Sequence, residues 1–404
     1  MNVTIFNIYY GSESIGTGLV ASDLAGALAH AGHQVRVVTT SADYGLLRPR
    51  STPHDVDEAQ HSQIVVKRIP VPFFIPSSAL RRAALYGIYL VAAGPYGLCG
   101  PRPDVVISII PPSLAGIPAQ IVAWLRGARL VLDVEDLYGG SGFRSRIAGR
   151  CNALVERWML RHASHIRVLT DAMAVRMRSI AGVHAPTRIV PVWTDPDVVT
   201  DSGDGLAFRR EHGLEGAFVV LHSGNIGALG GQAVVLDVAE RLKGDQTVCF
   251  VFVGGGYGAT KLREEASRRG LGNVRFLERV PRVQLSDMLA AGDVALSTLD
   301  ARIRQTSTPS KTFTYMAAGL PVLAVLDAGN AAATAVNSAG CGWVVLPGSV
   351  DELLRAITGA KELSSETRRV MGKAGRAYVL RWHAKGSCTA NFVRLTEFAQ
   401  SAHS

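Results

Sequence analysis

The sequence predicts an α/β protein with two doubly wound domains in tandem. The chain has 404 residues, which suits two domains of about 200 residues each. Apolar, β-branched segments of strand length alternate with helical patterns, and glycine-rich loops follow several of the strands. A polar stretch rich in Gly, Asp and Ser, residues 195–216, separates two such series. We expect the domain boundary there.

Composition and charge narrow the class of protein. Hydrophobic residues make up 48% and charged residues 19% of the chain, so it can bury large cores and is not disordered. The 42 Lys and Arg residues exceed the 33 Asp and Glu residues, and a net charge of +9 suits an anionic partner such as a nucleotide, nucleic acid or membrane surface. The five cysteines are scattered without a Cys-x-x-Cys pair, which argues against structural zinc and favours a reducing compartment. The first residues run directly into a strand, so we expect no signal peptide.

The first half opens with a strand, a glycine-rich loop, a helix and a second strand. Val3–Tyr9 and Val35–Thr39 are the predicted strands, and Gly11–Gly18 is the loop between the first strand and the helix. This order is typical of a doubly wound sheet. The loop does not complete a G-x-G-x-x-G pattern after Gly18, so a dinucleotide site is weakly supported. Further strands are predicted at residues 104–110, 129–134 and 165–169, and a strand and turn at residues 189–195.

The segment Ile64–Cys99 has two interpretations. It contains Phe73-Phe74 and Arg81-Arg82, followed by an apolar run from Ala83 to Cys99 that is interrupted by glycine and proline and is marginal for a bilayer span. Basic residues beside aromatic and apolar ones are typical of a segment at a membrane interface, which predicts an anionic membrane surface as a partner. A core helix of the first domain is the alternative.

The second half repeats the alternation of strands and helices. Two glycine-rich loops, His222–Gly227 and Gly254–Gly258, follow predicted strands, where parallel sheets bind phosphates. The predicted strands are Phe218–Leu221, Val248–Val253, Val274–Leu277, Val294–Leu299, a strand after Pro321, and Gly342–Leu346. The predicted helices are residues 232–242, 283–291, 310–318, 350–360, 366–380 and 387–399.

The stretch Thr306–Ala324 is the one around which the second half is organised. Pro309-Ser310 is a good helix start, because the serine hydroxyl can accept from an exposed backbone N–H. Lys311 then lies in the first turn, where the helix dipole disfavours a cation. A lysine there is explained if an anion binds at the same place, since a helix N-terminus and a lysine together form a phosphate site. An ordinary surface lysine is the alternative.

Taken together, these motifs resemble those of the retaining glycosyltransferases of family 4, which have the GT-B fold of two Rossmann-like domains facing across a cleft. In the second half the motifs are Gly224-Asn225-Ile226-Gly227, Gly254-Gly255-Gly256, Pro309-Ser310-Lys311 and Tyr315–Pro321. In the first half they are Tyr9-Tyr10, Gly16-Thr17-Gly18, Gly32–Val35 and Asp136-Leu137-Tyr138. The similarity covers nearly the whole chain and is greatest to bacterial polysaccharide transferases that use amino-deoxy sugars, such as the L-fucosamine transferases.

The resemblance implies how the two domains share the work. Residues 1–200 would form the N-terminal, acceptor-binding domain, and residues 201–384 the nucleotide-sugar-binding domain. A C-terminal helix of about 385–404 is a candidate to pack back on the first domain. The donor would be a nucleotide-sugar and the acceptor a glycan, a lipid-linked molecule or a natural product. No cofactor and no metal are expected. The expected location is cytoplasmic, with peripheral attachment at the inner face of the plasma membrane as an option.

The resemblance also implies roles for individual residues. Lys311 and Asp136 are the candidate catalytic residues: Lys311 neutralises the leaving diphosphate together with Ser310, and Asp136 orients or activates the acceptor. A helix cap is the alternative for Asp136. Front-face attack, in which the donor phosphate helps to take the acceptor proton, requires no pair of hydrolase-type carboxylates. The candidate donor-binding residues are Gly16, Gly224, Asn225, Ile226, Gly227, Gly255, Val280, Ser310, Lys311 and Thr314.

Two departures from the family pattern concern the donor. Thr306 and Thr314 occupy places where family members usually carry glutamates, and a carboxylate at the second place accepts from both ribose hydroxyls. The basic residue that usually follows the Gly-Asn-Ile-Gly loop is replaced by Ala228-Leu229-Gly230. The identity of the donor therefore stays open.

Three other functions fit parts of the sequence. A non-hydrolysing nucleotide-sugar epimerase shares the fold, and a non-catalytic, membrane-attached partner of another transferase would explain the threonines. A nucleic-acid-binding protein would explain the charge, but the sequence has no recognised module or clusters of aromatic and basic residues for that function.

Overall fold

The computed structural model of the chain describes residues 1–11, 16–42, 62–71, 79–137, 146–227, 230–256, 258–303 and 307–401. These residues form two compact units: unit 1 is Met1–Pro191 with Gly386–Ser404, and unit 2 is Val192–Lys385. Several residues singled out in the sequence lie outside the described ranges, namely Phe73-Phe74, Tyr138, Ala228-Leu229 and Thr306.

Unit 1 is built on a seven-stranded parallel sheet with the order β3-β2-β1-β4-β5-β6-β7. Most of its strand residues are buried, as expected for a parallel sheet covered by helices. The strands are β1 (Asn2–Phe6), β2 (Gln34–Thr40), β3 (Ile64–Ile69), β4 (Val105–Ile110), β5 (Arg129–Val134), β6 (His165–Val168) and β7 (Thr187–Ile189).

Six helices accompany this sheet in the described part of the chain, and the last of them comes from the end of the sequence. They are α1 (Thr17–His30), α2 (Ala79–Leu98), α3 (Gly116–Arg126), α4 (Arg146–His162), α5 (Asp171–Ala181) and α14 (Lys385–Ser401). Phe392, Val393, Leu395 and Ala399 of α14 pack into the same apolar core as β1, α1 and β4. Burial of these side chains fixes α14 to unit 1.

Helix α2 settles the local structure of most of the Ile64–Cys99 segment. Its side chains Leu85, Tyr89 and Ala93 are fully buried, and the Tyr89 hydroxyl donates to the Val38 carbonyl at 3.2 Å. The structure therefore agrees with the core-helix interpretation for the side of α2 that carries these three residues. None of the described helices is both long and apolar enough to cross a membrane. The segment also begins with a strand, β3, that the sequence analysis did not separate.

Unit 2 is built on a six-stranded parallel sheet with the order β10-β9-β8-β11-β12-β13. The strands are β8 (Phe218–Ser223), β9 (Val248–Val253), β10 (Val274–Leu277), β11 (Val294–Thr298), β12 (Val322–Val325) and β13 (Gly342–Val345). Beside them, in the described residues, lie α6 (Gly205–Glu211), α7 (Ala233–Arg241), α8 (Ala259–Arg268), α9 (Leu285–Ala290), α10 (Ser310–Ala317), α11 (Ala331–Ala339), α12 (Val350–Glu362) and α13 (Ser365–Trp382).

Both units therefore confirm the predicted fold class, two α/β domains with parallel, doubly wound sheets. One local expectation is wrong. The N-cap of α10 is Pro309, which makes no side-chain capping bond, and Ser310 is the first helical residue rather than a cap. Proline suits this position because it has no N–H to leave unpaired.

Candidate functional site

The candidate site lies at the carboxyl edge of the unit 2 sheet. The neighbouring central strands β8 and β11 continue in opposite directions across the sheet, to β9 and to β12. At such a switch point the loops after the two strands part and leave a crevice for ligands. Here the loop after β8 holds Gly224–Gly227, and the segment after β11 leads to α10, which begins at Ser310.

The glycine-rich loops after β8 and β9 are hydrogen-bonded to each other. The Gly224 N–H donates to the Val253 carbonyl at 2.9 Å and the Ile226 N–H to the Gly255 carbonyl at 2.8 Å, while the Ile226 carbonyl accepts from Gly258 N–H at 2.8 Å. The N–H groups of Gly224 and Ile226 are thus used within the protein. These two N–H groups are therefore not available to an anion.

The close approach of these loops requires glycine at Gly254 and Gly256. Gly254 has φ +122°, and a Cβ there would lie 2.5 Å from the Gly224 carbonyl oxygen. Gly256 has φ +134°, and its Cβ would lie 2.1 Å from Asn225 Oδ1. Gly255 between them has no such constraint, since nothing lies within 4 Å of a Cβ built there. The loop therefore leaves open space at Gly255.

Lys311 reaches from the first turn of α10 to the loop after β8. Its Nζ donates to His222 Nε2 at 3.2 Å and to the Asn225 carbonyl at 3.4 Å. His222 is buried, and its Nδ1 donates to the Leu296 carbonyl at 3.0 Å. A carbonyl can only accept, so the proton of a neutral imidazole lies on Nδ1 and leaves Nε2 to accept from the ammonium group. Lys311 is therefore held by two neutral acceptors.

Burial sets the electrostatics of this pair. It lowers the pKa of Lys311 from 10.5 to about 8, so the ammonium group is charged at neutral pH but only moderately stabilised. Burial, and secondly the neighbouring Lys311 charge, hold the pKa of His222 well below its usual value of 6.5. The imidazole is therefore neutral, which is what its role as an acceptor requires.

Helix α10 is anchored to the sheet by two buried polar contacts. The Tyr315 hydroxyl accepts from the Ser223 N–H at 2.8 Å and donates to the Ser223 carbonyl at 3.0 Å, at the very end of β8. The Thr312 and Ser297 hydroxyls lie 2.7 Å apart, which joins α10 to β11. These contacts fix the helix start, and hence Lys311, relative to both central strands.

The remaining predicted donor residues of unit 2 lie around this centre. Ser310 is exposed at the start of α10, and the half-buried Thr314 lies one turn later, with its Oγ1 donating weakly to the Ser310 carbonyl at 3.5 Å. Ile226 is buried in the core, whereas Gly227 leaves ordinary van der Waals space beside Asn225. Val280 follows β10, at the edge of the sheet, and is half-buried.

Gly16 and Asp136 belong to unit 1. Gly16 is the N-cap of α1 with φ +60°, and nothing lies within 4 Å of a Cβ built there. Asp136 is half-buried and lies two residues after the end of β5, at the carboxyl edge of the unit 1 sheet. Each residue therefore lies where doubly wound sheets place functional groups.

Close to Asp136, a buried arginine joins the ends of several chain segments. The Arg167 guanidinium on β6 pairs with Asp133 at 2.7 Å and with Glu135, and it also donates to the carbonyls of Val190 at 2.8 Å and Pro191 at 3.1 Å. Burial raises the pKa of Asp133 to about 7, which Arg167 opposes and Glu135 reinforces. This network fixes the strand end from which Asp136 projects.

Sequence reasoning missed three of these residues. The sequence predicts a loop at His222, whereas β8 extends to Ser223 and His222 is buried within the strand. The sequence pattern includes Tyr315 only as part of a motif, and it gives Arg167 no role. The available signal was a polar side chain inside an otherwise apolar strand, because such a residue must find a partner when it is buried.

Comparison with known proteins finds two glycosyl transferase family models that match this chain. Residues 16–193 match the Glycosyl transferase 4-like domain, and residues 206–378 match Glycosyl transferases group 1. These matches fall one on each unit and together span most of the chain. Each unit is therefore similar to a glycosyl transferase domain.

Two relatives have similar sequences. The putative colanic acid biosynthesis glycosyl transferase WcaI of Escherichia coli K12 is 27% identical over 338 residues, covering 79% of this chain and 82% of the relative. The probable glycosyltransferase WbjE of Pseudomonas aeruginosa is 26% identical over 270 residues, covering 65% of this chain and 67% of the relative. Neither relative is a named fucosamine transferase, so the comparisons support the broad family only.

Solved structures show the same fold. Sucrose-phosphate synthase from Thermosynechococcus elongatus matches with a TM-score of 0.77 at 16% identity, over 100% of both chains. Anabaena HepE, solved in complex with UDP and glucose, matches with a TM-score of 0.74 at 17% identity, over 98% of this chain and 99% of its own. At these identities the likeness concerns the fold.

Proposed function

We propose that this protein is a retaining glycosyltransferase that transfers a sugar from a nucleotide-sugar donor to a glycan, lipid-linked or natural-product acceptor. Unit 2 would bind the donor, with Lys311 at its diphosphate. A hexosyl or amino-deoxy sugar is the proposed donor group, and polysaccharide synthesis the proposed setting, in the cytoplasm. The names of the relatives WcaI and WbjE support glycosyl transfer, and the name of WcaI, which refers to colanic acid biosynthesis, supports the setting in polysaccharide synthesis.

The observation that carries the proposal is the position of Lys311. It lies in the first turn of α10, at the switch point of the sheet, with its Nζ within 4 Å of the Cβ position of Gly224. A half-buried cation next to a glycine loop is stable there only at a cost, since desolvation disfavours its charge. An anionic ligand would recover that cost. A diphosphate fits because it presents several oxygens to one ammonium group and to a helix N-terminus.

The reaction would then depend on stabilising the leaving nucleoside diphosphate. As the sugar–phosphate bond breaks, negative charge grows on the phosphate oxygens, and Lys311 together with Ser310 would balance that charge. His222 would keep the ammonium group directed at the loop by accepting a hydrogen bond from it at Nε2. No metal is invoked in this proposal. Asp136 would orient the acceptor hydroxyl, and Gly16 would allow close approach of the α1 start to the donor.

Ligand binding and product analysis together test the function. The protein should be stabilised against heat by UDP, GDP or dTDP, or by their sugars, because a ligand that binds only the folded state raises stability by mass action. The best donor should then be consumed in an acceptor-dependent reaction with retained anomeric configuration. Conversion of the donor without acceptor would instead identify an epimerase. Absence of binding by every nucleotide in the set would support a non-catalytic partner and reject the proposal.

Thr314 leads to a more specific proposal about the nucleotide. A carboxylate at this place would accept from both ribose hydroxyls, whereas one threonine hydroxyl pairs with only one. Losing a hydrogen bond to a charged partner is worth roughly 1.5–3 kcal/mol, about one to two decades in affinity. We therefore expect dTDP and UDP to compete about equally for the wild-type site, and Thr314→Glu to favour UDP. A wild-type preference for UDP above about tenfold would show that another residue binds the ribose.

A further inference from the structure

Unit 1 has an apolar and basic surface on helices α3 and α4 that the proposed reaction does not use. On α3 the exposed apolar side chains are Ile121, Trp124 and Leu125, at the spacing of one helix side. Trp124 is 78% exposed. The opposite side of α3 is also apolar, with Val122 and Ala123 buried against the sheet. A helix on an ordinary solvated surface has a polar outer side, so α3 is apolar where water would favour polar groups.

Helix α4 continues this surface and adds positive charge. It packs against α3, and its exposed Ile147 and Leu154 alternate with the exposed Arg150 and Arg157. These positions are three and four residues apart and share one side of the helix. We call these seven side chains, Ile121, Trp124, Leu125, Ile147, Arg150, Leu154 and Arg157, the α3–α4 face.

Acidic residues are nearly absent from this part of the chain. The sequences of α2, α3 and α4 together contain one carboxylate, Glu156, and it is buried. Some exposed arginines of unit 2 helices have acidic partners instead, as in the Arg268–Glu265 pair at 2.6 Å and the Arg369–Glu366 pair at 2.5 Å. The α3–α4 face therefore combines solvent-exposed apolar side chains with positive charges and has no exposed carboxylate on its two helices.

We propose that the α3–α4 face docks on the surface of an anionic lipid bilayer. Tryptophan and leucine at the headgroup level bury apolar area, and arginines at the same level bind lipid phosphates. A second copy of the chain fits this face less well, because a symmetric contact would bring Arg150 and Arg157 towards like charges. The proposal is independent of the transfer reaction, since lipid binding is measured without donor or acceptor.

Vesicle flotation tests the proposal. Wild-type protein should float with phosphatidylcholine vesicles that contain phosphatidylglycerol, and should float poorly with pure phosphatidylcholine. The double variant Arg150→Gln/Arg157→Gln should have a partition coefficient lower than wild type by about fivefold for each arginine. Raising the salt concentration should lower the partition coefficient of this variant less than that of wild type. Trp124→Ser should lower it on the order of tenfold in all salts, because its contribution is apolar.

Trp382→Ser is the matched control. Trp382 is 52% exposed on α13 of unit 2, so its loss removes a similar exposed ring from another surface. Its partition coefficient should equal that of wild type, and all variants should keep the wild-type circular dichroism and nucleotide binding. Failure of wild type to float with anionic vesicles at low salt would overturn the proposal. The proposal would also be overturned if Trp124→Ser and Arg150→Gln/Arg157→Gln floated as well as wild type, because lipid would then bind to another surface.

Discussion

The two units have sheets of matching strand order but opposite chemistry at the carboxyl edge. In unit 1 a buried cation, Arg167, is matched by the carboxylates of Asp133 and Glu135. In unit 2 the cation, Lys311, is held by the neutral atoms His222 Nε2 and the Asn225 carbonyl. A cation already paired with carboxylates serves the structure, whereas a cation on neutral acceptors keeps its charge for an incoming anion. One topology can therefore support a fixed scaffold in one domain and, under the proposed function, an anion site in the other.

The largest expected effect follows from breaking the unit 1 network. Arg167→Met leaves Asp133 and Glu135 without their buried partner, so the free energy of unfolding should fall by about 3–5 kcal/mol. Urea unfolding followed by circular dichroism measures it. Arg394→Met, which removes an exposed arginine from α14 of the same unit, should change it by less than about 0.5 kcal/mol. If Arg167→Met and Arg394→Met lower the free energy of unfolding equally, the buried network of Arg167 does not stabilise unit 1 more than an exposed arginine does.

Lys311→Ala tests the other side of the comparison. Turnover with the correct donor should fall at least about a hundredfold, on the order of 3 kcal/mol, while the melting temperature barely changes. Lys243→Ala, at an exposed lysine of the same unit, is the control and should retain full activity. Near wild-type turnover in the Lys311 variant would mean that the diphosphate binds elsewhere.

The glycine loops give a matched pair of substitutions within unit 2. Gly254→Ala places a methyl group against the Gly224 carbonyl at a positive φ, so we expect a loss of about 2 kcal/mol in unfolding free energy. Gly255→Ala has open space and should leave stability unchanged. If Gly255→Ala nevertheless weakens nucleotide binding, the donor approaches that part of the loop. Similar stability of both variants would show that the two loops do not need their close contact.

The smallest expected effect is the pH dependence of UDP affinity. A bound diphosphate raises the pKa of Lys311 above its free value of about 8. Affinity should therefore be constant between about pH 7 and pH 8, where UDP is fully ionised, and fall above that range, by up to tenfold per pH unit, as the free protein loses its proton first. His222 and Tyr315 do not titrate in this window, since their pKa values lie well below 6.5 and at about 12. Calorimetry with wild type and Lys311→Arg measures the difference. Arginine stays charged, so its profile should be flat.

Much of this fold follows from sequence patterns. Buried parallel strands must be apolar throughout, and this made β1, β4, β5, β9 and β11 visible as continuous runs. Strand β3 is harder to recognise, because four of its six residues are at least partly exposed and it includes Lys67 and Arg68. Glycine-rich motifs indicated where the loops of unit 2 lie, since glycine there is required by the backbone.

The site was less predictable because it depends on contacts between distant segments. Lys311 was recognised from its unfavourable place at a helix start, a local signal. Its acceptor His222 lies 89 residues away, and no local pattern connects the two. The same holds for the apolar outer side of α3, because periodicity cannot tell which of two apolar sides faces the core.

The position of α14 has a consequence for how the protein is made. Unit 1 is completed by residues that follow all of unit 2 in the chain, whereas unit 2 is one continuous segment. The entry and exit of that segment are joined, since the Thr194 N–H donates to the His383 carbonyl at 2.8 Å and the Lys385 N–H to the Thr194 carbonyl at 2.9 Å. During synthesis, residues 1–191 and all of unit 2 therefore leave the ribosome before Phe392, which belongs to the core of unit 1. Unit 2 can thus fold before unit 1 is complete. Residues 192–385 are thus the natural fragment to express alone. A fragment of residues 1–191 would expose the apolar surface that α14 covers, and we expect it to aggregate.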